Sequence, residues 1–308
     1  MKLKSCLRNN LIISNLYLNY LYYKRLVLYK INPRFSANYL FKKVFKRKIN
    51  WKHPSNLIEK IVWLEFNSDT SLWTKCADKY LVRNYVRENG CEYLLNTLYG
   101  YWYSVDDIDF DSLPKSFVLK ANNGCGTVMK VEDKGALDIQ FLKKKLKRWI
   151  SRPYGYHGGQ IHYLKIRPCI IAEELLFQNK VAEKVSTDSL VDYKIWCFNG
   201  MPESVLVICN RKKFTLDMIL YDLEWNKKNE FILPGNHYHC NAAIDIPKPK
   251  SFDKMIEACK ILAKPFKQVR MDFYEIDGKP YLGEMTFTTG YGYFTDQYYD
   301  YLGSKIQL

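Results

Sequence analysis

The 308-residue chain has no C-x-x-C pair and no long uninterrupted apolar run. Its nine cysteines are scattered, so the sequence has neither a zinc-ribbon spacing nor a disulfide framework, and this usage is typical of a reducing, cytoplasmic compartment. The most apolar stretch, residues 11–29, is interrupted by Asn15, Asn19, Lys24 and Arg25. The uninterrupted apolar run within it is too short to span a membrane, and the lack of a small-residue cleavage site argues against a signal peptide.

Acidic residues are absent from positions 1–50, which hold twelve of the 47 Lys and Arg residues. The rest of the chain carries 35 basic and 32 acidic residues, so the net charge of +15 is concentrated at one end. Such a segment binds anionic lipid, nucleic acid or an acidic polymer. No nucleic-acid motif accompanies it, so nucleic acid is the least expected partner. Residues 11–29 favour a helix lying on a membrane or packed on the body, and the dense charge of 41–48 favours contact with anionic lipid.

The chain also has no G-x-x-x-x-G-K-[ST] string, which excludes a Walker phosphate loop. Instead, residues 116–120 have the pattern of a short strand that ends at Lys120. A small-residue loop, ANNGCGT, follows over 121–127, and a return strand over 128–131. A loop of this kind can surround phosphate with backbone N–H groups.

Periodicity and capping residues predict most of the other elements. Helices are predicted over 51–77, 79–89, 137–150 and 251–264, strands over 169–177, 190–198 and 202–210, and a loop over 217–250. The glycine-rich segment 153–160 is interpreted either as a mobile segment that closes over a ligand or as an ordinary surface loop. The H-x-H-C run at 237–240 has no second ligand pair, so no metal is expected there.

Residues 268–292 have the pattern of a β-hairpin. Polar and apolar residues alternate along 268–274, which is the period of a half-buried strand. Asp277-Gly278 is a strong signal for a two-residue turn, and a second strand follows it.

Charged residues of this hairpin can converge. Arg270 and Asp272 share one face of the first strand, and Glu284 and Thr286 share one face of the second. If both faces turn the same way, a cation and two carboxylates meet, and carboxylate oxygens suit Mg²⁺ beside a phosphate. The alternative is a solvent-facing hairpin with ordinary surface charges.

This succession of elements resembles the ATP-grasp ligases, and more closely their TupA-like branch, which is associated with teichuronopeptide and other surface-polysaccharide synthesis. The segments that carry the resemblance are ADKYLVRNYV (77–86), LPKSFVLKANNGCG (113–126), DYKIWCFNG (192–200) and VRMDFYEIDGKPYLGEMTFTTGYG (269–292). The resemblance covers roughly 51–295 and leaves most of the first 50 residues outside it.

The resemblance implies an α+β ATP-grasp fold, in which two α+β subdomains clasp ATP between antiparallel sheets. A basic helical N-terminal segment precedes the fold. The implied segments are the basic N-terminal helical segment (1–50), a helical lobe (51–112), subdomain 1 with the phosphate loop and hinge (113–177), and subdomain 2 with the ribose and metal sites (178–308).

The resemblance also implies a site for ATP and Mg²⁺. The implied ATP-binding residues are the two phosphate-holding lysines, the lid loop, the adenine hinge, the ribose-binding acid and its strand neighbour: Lys79, Lys120, Asn123, Gly124, Gly126, Glu173, Glu174, Leu176, Asp192 and Lys194. The implied catalytic residues are Arg270 and Lys120, and the implied metal ligands are Asp272, Glu284 and Thr286. Many relatives carry E-x-N at the second metal position, whereas this chain has Glu284-Met285-Thr286, so the second metal ligand departs from the pattern.

The implied reaction is ATP-dependent amide formation through an acyl phosphate, between a sugar or uronic-acid carboxylate and an amine or amino acid. The expected place is the cytoplasm, at the inner face of the membrane, with a substrate that is either free or lipid-linked. The alternative is a glycosyltransferase of the same pathways that uses a nucleotide-sugar donor. The lysine and glycine loop at 120–127 favours a triphosphate over that alternative.

Overall fold

The computed structural model describes residues 11–178, 186, 189–241 and 244–308, with side chains from residue 16 onward. Its α-helices are α1 (Leu11–Ile31), α2 (Pro33–Phe45), α3 (Leu57–Asn67), α4 (Ser71–Ala77), α5 (Val82–Glu88), α6 (Ile139–Ile150), α7 (Ile161–Leu164), α8 (Phe252–Leu262) and α9 (Asp296–Ser304). Its strands are β1 (Leu98–Trp102), β2 (Phe117–Ala121), β3 (Val128–Val131), β4 (Ile170–Glu173), β5 (Asp192–Phe198), β6 (Met201–Cys209), β7 (Leu216–Tyr221), β8 (Tyr238–His239), β9 (Gln268–Ile276) and β10 (Lys279–Thr286).

The strands form two sheets. The first is antiparallel with the order β1-β4-β2-β3, and the second has the order β10-β9-β5-β6-β7-β8 and is antiparallel except for the β7–β8 pair. The amphipathic helix α6 covers the first sheet and buries Leu142 and Leu146 against Phe117 and Leu119. The larger core lies under the second sheet and joins α8 and α9 to the N-terminal helices.

The β9–β10 hairpin is confirmed. Asp277 and Gly278 both have positive φ, 51° and 79°, which is the backbone that a two-residue hairpin turn requires. Both strands are buried at the ends that carry Arg270 and Thr286, so the alternative of a solvent-facing hairpin is wrong. The hydrophobic residues of β9 face the core, and this leaves the alternate, charged positions to face the other side of the sheet.

The N-terminal helices pack on the body through α2, whose inner face buries Ser36, Ala37 and Phe41. Arg47, just after this helix, forms an ion pair with the buried carboxylate of Glu59 in α3. Among the residues that the structure describes, no helix is long and apolar enough to cross a membrane.

Two of the predicted elements are wrong in detail. The helix predicted over 51–77 is two helices, α3 and α4, because the first helix ends at Asn67 and Ser68 has an extended backbone. The loop predicted over 217–250 contains β7, which pairs with β6; its buried apolar run lacks the alternation that marks a half-buried strand. The residue boundaries of the four predicted segments stay a prediction. β1 lies before residue 113, the predicted start of subdomain 1, and it nevertheless pairs with β4 in the first sheet.

The glycine-rich segment 153–160 packs against α2, so its interpretation as an ordinary surface loop is wrong, and its closure over a ligand stays a prediction. It lies beneath α2, where a Cβ at Gly159 would be 2.7 Å from the Pro33 carbonyl oxygen. Ser36 donates a hydrogen bond to the carbonyl oxygen of Tyr156 at 3.4 Å. The contact joins residues 120 positions apart, so no local pattern could indicate it.

We predict that Gly303→Ala destabilises the protein by about 1–3 kcal/mol, because α9 packs on the start of α3 with no room for a methyl group. A Cβ at Gly303 would lie 2.3 Å from the Ser55 carbonyl oxygen. Urea unfolding measures the cost. The matched variant Gly235→Ala, where no atom lies within 4 Å, is expected to change stability by under about 0.5 kcal/mol. Equal stability of the two variants would contradict this packing.

Candidate functional site

Charged side chains form two rows across three strands of the second sheet. In one row, Glu284 of β10 lies opposite Asp272 of β9, which lies opposite Lys194 of β5. In the next row, Thr286 lies opposite Arg270. Because side chains alternate between the two faces of a strand, these rows share the face away from the apolar positions of β9. The convergence predicted from the sequence is therefore confirmed.

Asp272 is at the centre of these rows. Its carboxylate accepts two hydrogen bonds from Arg270, at 2.7 Å from Nε to Oδ1 and 2.7 Å from Nη2 to Oδ2. Lys194 contacts the same Oδ2. Asp272 is 2% exposed and Arg270 is 8% exposed, so the pair is shielded from water and its attraction is strong. Thr289 accepts a further bond from Arg270 at 2.7 Å, which fixes the guanidinium.

Glu284 is held as an anion by its surroundings. Burial acts to raise its pKa, but the charges of Lys79, Lys194 and Arg270 outweigh burial and hold the pKa of Glu284 well below its usual range. The Thr286 hydroxyl donates to Glu284 Oε1 at 3.0 Å. A carboxylate that is ionised and oriented in this way is a ready ligand for a hard cation.

The glycine loop between β2 and β3 reaches over the charged rows. Lys79 Nζ donates to the carbonyl oxygen of Gly124 at 2.7 Å and lies 3.6 Å from Glu284 Oε2, so one ammonium group joins the loop to the hairpin. Gly124 rests against Tyr154, where a Cβ would be 2.5 Å from the Tyr154 Cβ atom. Gly126 has a φ of 78°, a conformation that favours glycine.

Two buried polar groups of this loop have no hydrogen-bond partner among the described residues, Asn123 Nδ2 and Thr127 Oγ1. A buried donor without a partner is costly, so such groups at a loop commonly meet a ligand. Cys125, at the loop tip, is exposed on one side. Desolvation by the protein atoms around it raises the pKa of its thiol, and the negative charge of Glu284 raises it further. Because Lys79 contacts both Gly124 and Glu284, the loop lies close to the charged rows.

Glu173, at the end of β4, forms ion pairs with Lys120 of β2 and Arg83 of α5. Lys120 Nζ lies 2.6 Å from Glu173 Oε2, and Arg83 Nη1 lies 3.0 Å from Glu173 Oε1. Both carboxylate oxygens are thus occupied by cations, so the Glu173 side chain positions Lys120. Glu174 accepts from the backbone N–H of Thr97 at 3.2 Å, and its own N–H donates to the Thr97 carbonyl oxygen at 2.9 Å. Leu176, which follows, is half-buried.

Asp192, at the start of β5, is buried and only partly satisfied. Its Oδ2 lies 2.7 Å from Lys194 Nζ and 3.5 Å from Arg211, whereas its Oδ1 is a buried atom with no partner among the described residues. An acceptor of this kind is available to a hydroxyl donor of a ligand.

Sequence reasoning missed four residues of the site. Arg83 holds Glu173, Thr289 holds Arg270, Tyr154 supports Gly124, and Arg211 lies near Asp192. Thr289 belongs to a motif that was recognised, so its position after the hairpin was a signal. The partners of Arg83 and Tyr154 lie far away in the sequence, and nothing local indicates them.

The sequence model of the TupA-like ATP-grasp family matches residues 59–307, which is most of the chain. This chain belongs to the TupA-like ATP-grasp family. The expected family and the expected α+β ATP-grasp fold are confirmed, and the expected enzyme class, an ATP-grasp ligase, agrees with this family. A search of curated protein sequences finds no match.

Solved structures of ATP-grasp ligases are similar at low identity. D-alanine–D-alanine ligase from Bacillus anthracis, complexed with ATP, is 15% identical over 70% of this chain and 56% of its own, with a TM-score of 0.43. The enzyme from Helicobacter pylori is 14% identical over 82% and 67%, with a TM-score of 0.42. The ligase PsnB, complexed with its minimal precursor, is 12% identical over 73% and 56%, with a TM-score of 0.39. The family match alone carries the assignment, and the chain spans just over half the length of the first of these enzymes.

The residues of this ATP-grasp site fit Mg²⁺. In the described part of the chain, no group of three His, Cys, Asp or Glu side chains is arranged to hold a metal by itself. Mg²⁺ is commonly bound through one or two carboxylates together with phosphate oxygens of a substrate, and Asp272 and Glu284 are such a pair. To bind a metal, Asp272 would release Lys194 or Arg270, which occupy its two oxygens in this structure. Thr286 already donates to Glu284, so in this structure its hydroxyl orients the Glu284 carboxylate.

We predict that Asp272→Asn destabilises the protein by about 3 kcal/mol, because Arg270 would stay buried without its paired carboxylate and Lys194 would keep only Asp192. Urea unfolding at neutral pH measures the change. The same substitution at the exposed Asp107 is the matched control and is expected to cost under about 0.5 kcal/mol. A cost below about 1 kcal/mol at Asp272 would mean that the pair is solvated rather than buried.

Proposed function

We propose that this protein is an ATP- and Mg²⁺-dependent carboxylate–amine ligase that forms an amide on a sugar or uronic-acid carboxylate during cell-surface polysaccharide synthesis. The observation that supports the proposal most directly is the meeting of a glycine loop, three lysines and an Asp–Arg–Glu cluster in one site. Four cations, Lys79, Lys120, Lys194 and Arg270, are held there by carboxylates rather than by solvent. Such fixed charges suit a polyanionic ligand.

A bound ATP, with Mg²⁺, would supply the phosphoryl group that converts a poorly electrophilic carboxylate into an acyl phosphate. The protein's own contribution is mainly position and charge. Lys120 and Lys79 would hold phosphate oxygens, and the loop around Gly124 and Gly126 would donate backbone N–H groups. Asp272 and Glu284 would hold the metal.

Recognition of the nucleoside falls to the other implied residues. Asp192, with its unpartnered Oδ1, would accept from the ribose hydroxyls, and Lys194 would steady that carboxylate. The backbone from Glu174 to Leu176 would contact the adenine. Because Arg83 and Lys120 occupy the Glu173 carboxylate, we assign Glu173 to positioning Lys120 instead of reading the base.

Arg270 would stabilise the substrate carboxylate and the charge that develops on it during transfer. The pKa of Arg270 is raised because the carboxylate of Asp272 outweighs the effect of burial, so the guanidinium stays charged. Its bonds to Asp272 and Thr289 fix its orientation before substrate arrives. Exclusion of water would fall to the glycine loop, since acyl phosphates hydrolyse readily.

The amine or amino-acid co-substrate then attacks the activated carboxyl carbon and releases phosphate. We place this reaction in the cytoplasm at the inner face of the membrane, where precursors of surface polysaccharides are assembled on lipid carriers.

We predict that Mg²⁺-ATP raises the melting temperature of the protein and that a UDP-sugar does not, because the lysines and glycine loop suit a triphosphate. Lys120→Met is expected to weaken ATP binding at least tenfold, since one charged phosphate contact is lost. Lys130→Met, an exposed lysine on the neighbouring strand, is the matched control. Stabilisation by the UDP-sugar in preference to Mg²⁺-ATP would favour a glycosyltransferase and overturn the proposal.

We also predict that uronic acids, ATP, Mg²⁺ and hydroxylamine together yield a hydroxamate, because hydroxylamine replaces the natural amine in attacking an acyl phosphate. A colorimetric hydroxamate assay and ADP release measure the reaction. Arg270→Lys keeps the charge but loses the paired geometry, and it is expected to lower the rate at least tenfold while ATP still stabilises the protein. ADP release without hydroxamate from any acid in the panel would contradict carboxylate activation.

A further inference from the structure

The exposed face of α1 is apolar. Five of its large apolar side chains recur at helical spacing and are mostly in solvent: Leu16 (62% exposed), Tyr20 (59%), Tyr23 (59%), Val27 (56%) and Ile31 (69%). We call this set the outer stripe. A surface helix ordinarily turns its apolar side to the core and its polar side to water, so this orientation is the reverse of the usual one.

The opposite face of α1 is already used. Tyr22 and Tyr29 pack edge-on against Tyr156, with ring centroids 6.1 Å and 5.2 Å apart. The guanidinium of Arg152 lies over the Tyr22 ring at 5.5 Å. Because these contacts fix the rotation of the helix, the outer stripe cannot turn onto the body without losing them.

Helix α2 extends the same surface. Phe35 and Tyr39 are 50% and 44% exposed, and Lys24 of α1 donates to the Tyr39 hydroxyl at 3.0 Å, so the two helices present their outer residues together. The following turn of α2 carries the exposed Lys42 and Lys43. No acidic residue occurs in the first 50 positions, so an apolar surface is bordered by charge of one sign.

The chemistry of this surface selects its partner. A second copy of the chain would bring an equally basic surface against it, and the like charges would repel. Nucleic acid would satisfy the lysines and could stack on tyrosines, but it offers nothing for Leu16, Val27 and Ile31. A bilayer with anionic headgroups satisfies both parts, since aliphatic side chains enter the acyl boundary, tyrosines favour the interface and lysines meet the headgroups.

We infer that the α1–α2 hairpin is a docking surface for an anionic membrane, with the outer stripe inserted into the interface. The segment lies before the family match, which begins at residue 59, so the inference does not follow from the ATP-grasp assignment. Membrane contact is independent of the ligase chemistry. Only its purpose, the placing of the active site beside substrates held at the bilayer, rests on the proposed function.

The α1–α2 hairpin contacts segments that carry residues of the site. Phe45 stacks on Tyr291 at 5.8 Å, in the loop that follows β10 and contains the Arg270 partner Thr289. Tyr156 lies two residues from Tyr154, which supports the glycine loop. A docked hairpin would therefore hold the site at a set distance from the membrane surface.

The test is co-sedimentation of the full-length protein with vesicles of phosphatidylcholine alone or with 30 mol% phosphatidylglycerol. We expect binding to the anionic vesicles, at least tenfold weaker binding to the neutral ones, and a fall with added salt. Val27→Glu/Ile31→Glu is expected to weaken binding at least tenfold. Phe141→Glu/Ile261→Glu makes the same changes at exposed apolar positions of α6 and α8 and is expected to bind normally.

The charge contribution is tested separately. Lys42→Gln/Lys43→Gln is expected to weaken binding to anionic vesicles at least tenfold, whereas Lys130→Gln/Lys144→Gln, at exposed positions of β3 and α6, is the matched control. Circular dichroism and the Mg²⁺-ATP thermal shift on the same samples confirm folding and report on the proposed function independently.

Three results would overturn the inference. One is wild-type protein that stays in the supernatant with both kinds of vesicle. Another is a concentration-dependent oligomer that Val27→Glu/Ile31→Glu dissolves, which would assign the outer stripe to a second copy. The third is a single-stranded oligonucleotide that binds more tightly than anionic vesicles and depends on the same residues.

Discussion

The pairing of Asp272 with Arg270 and Lys194 is the interaction on which the rest of the site depends. Burying these charges is costly unless each meets its partner in good geometry, and the sheet provides that geometry because β9 lies between β5 and β10. The same arrangement leaves Glu284 ionised beside Asp272. The charges of the site are therefore fixed in position before any ligand binds.

The two sheets are connected at this point by a small number of polar contacts. Lys79, which precedes α5, reaches the Gly124 carbonyl oxygen on one side and Glu284 on the other. Lys120, at the end of β2, is held by Glu173 of β4. A nucleotide bound between the two sheets would therefore contact lysines that residues of both sheets hold in position.

The N-terminal hairpin adds a second function to this arrangement without altering it. It covers the segment 153–160 and contacts the loop after β10, so its placement relative to the site is set by packing rather than by a free linker. The charge and the apolar exposure of one helical surface are explained together by a lipid interface. A ligase for surface polysaccharides would then work where its substrates are held.

Local sequence determined the elements whose signals are short-range. The alternation in β9, the Asp277-Gly278 turn and the residue types of the glycine loop correctly predicted the hairpins and the convergence of Arg270, Asp272 and Glu284. Tertiary structure alone decided the contacts between distant segments, such as Arg83 with Glu173 and Tyr154 with Gly124, because side-chain pairing across 30 to 90 residues leaves no periodic trace. It also decided which face of α1 is exposed, since both faces of this helix carry apolar residues and the packing of Tyr22 and Tyr29 on Tyr156 fixes its rotation.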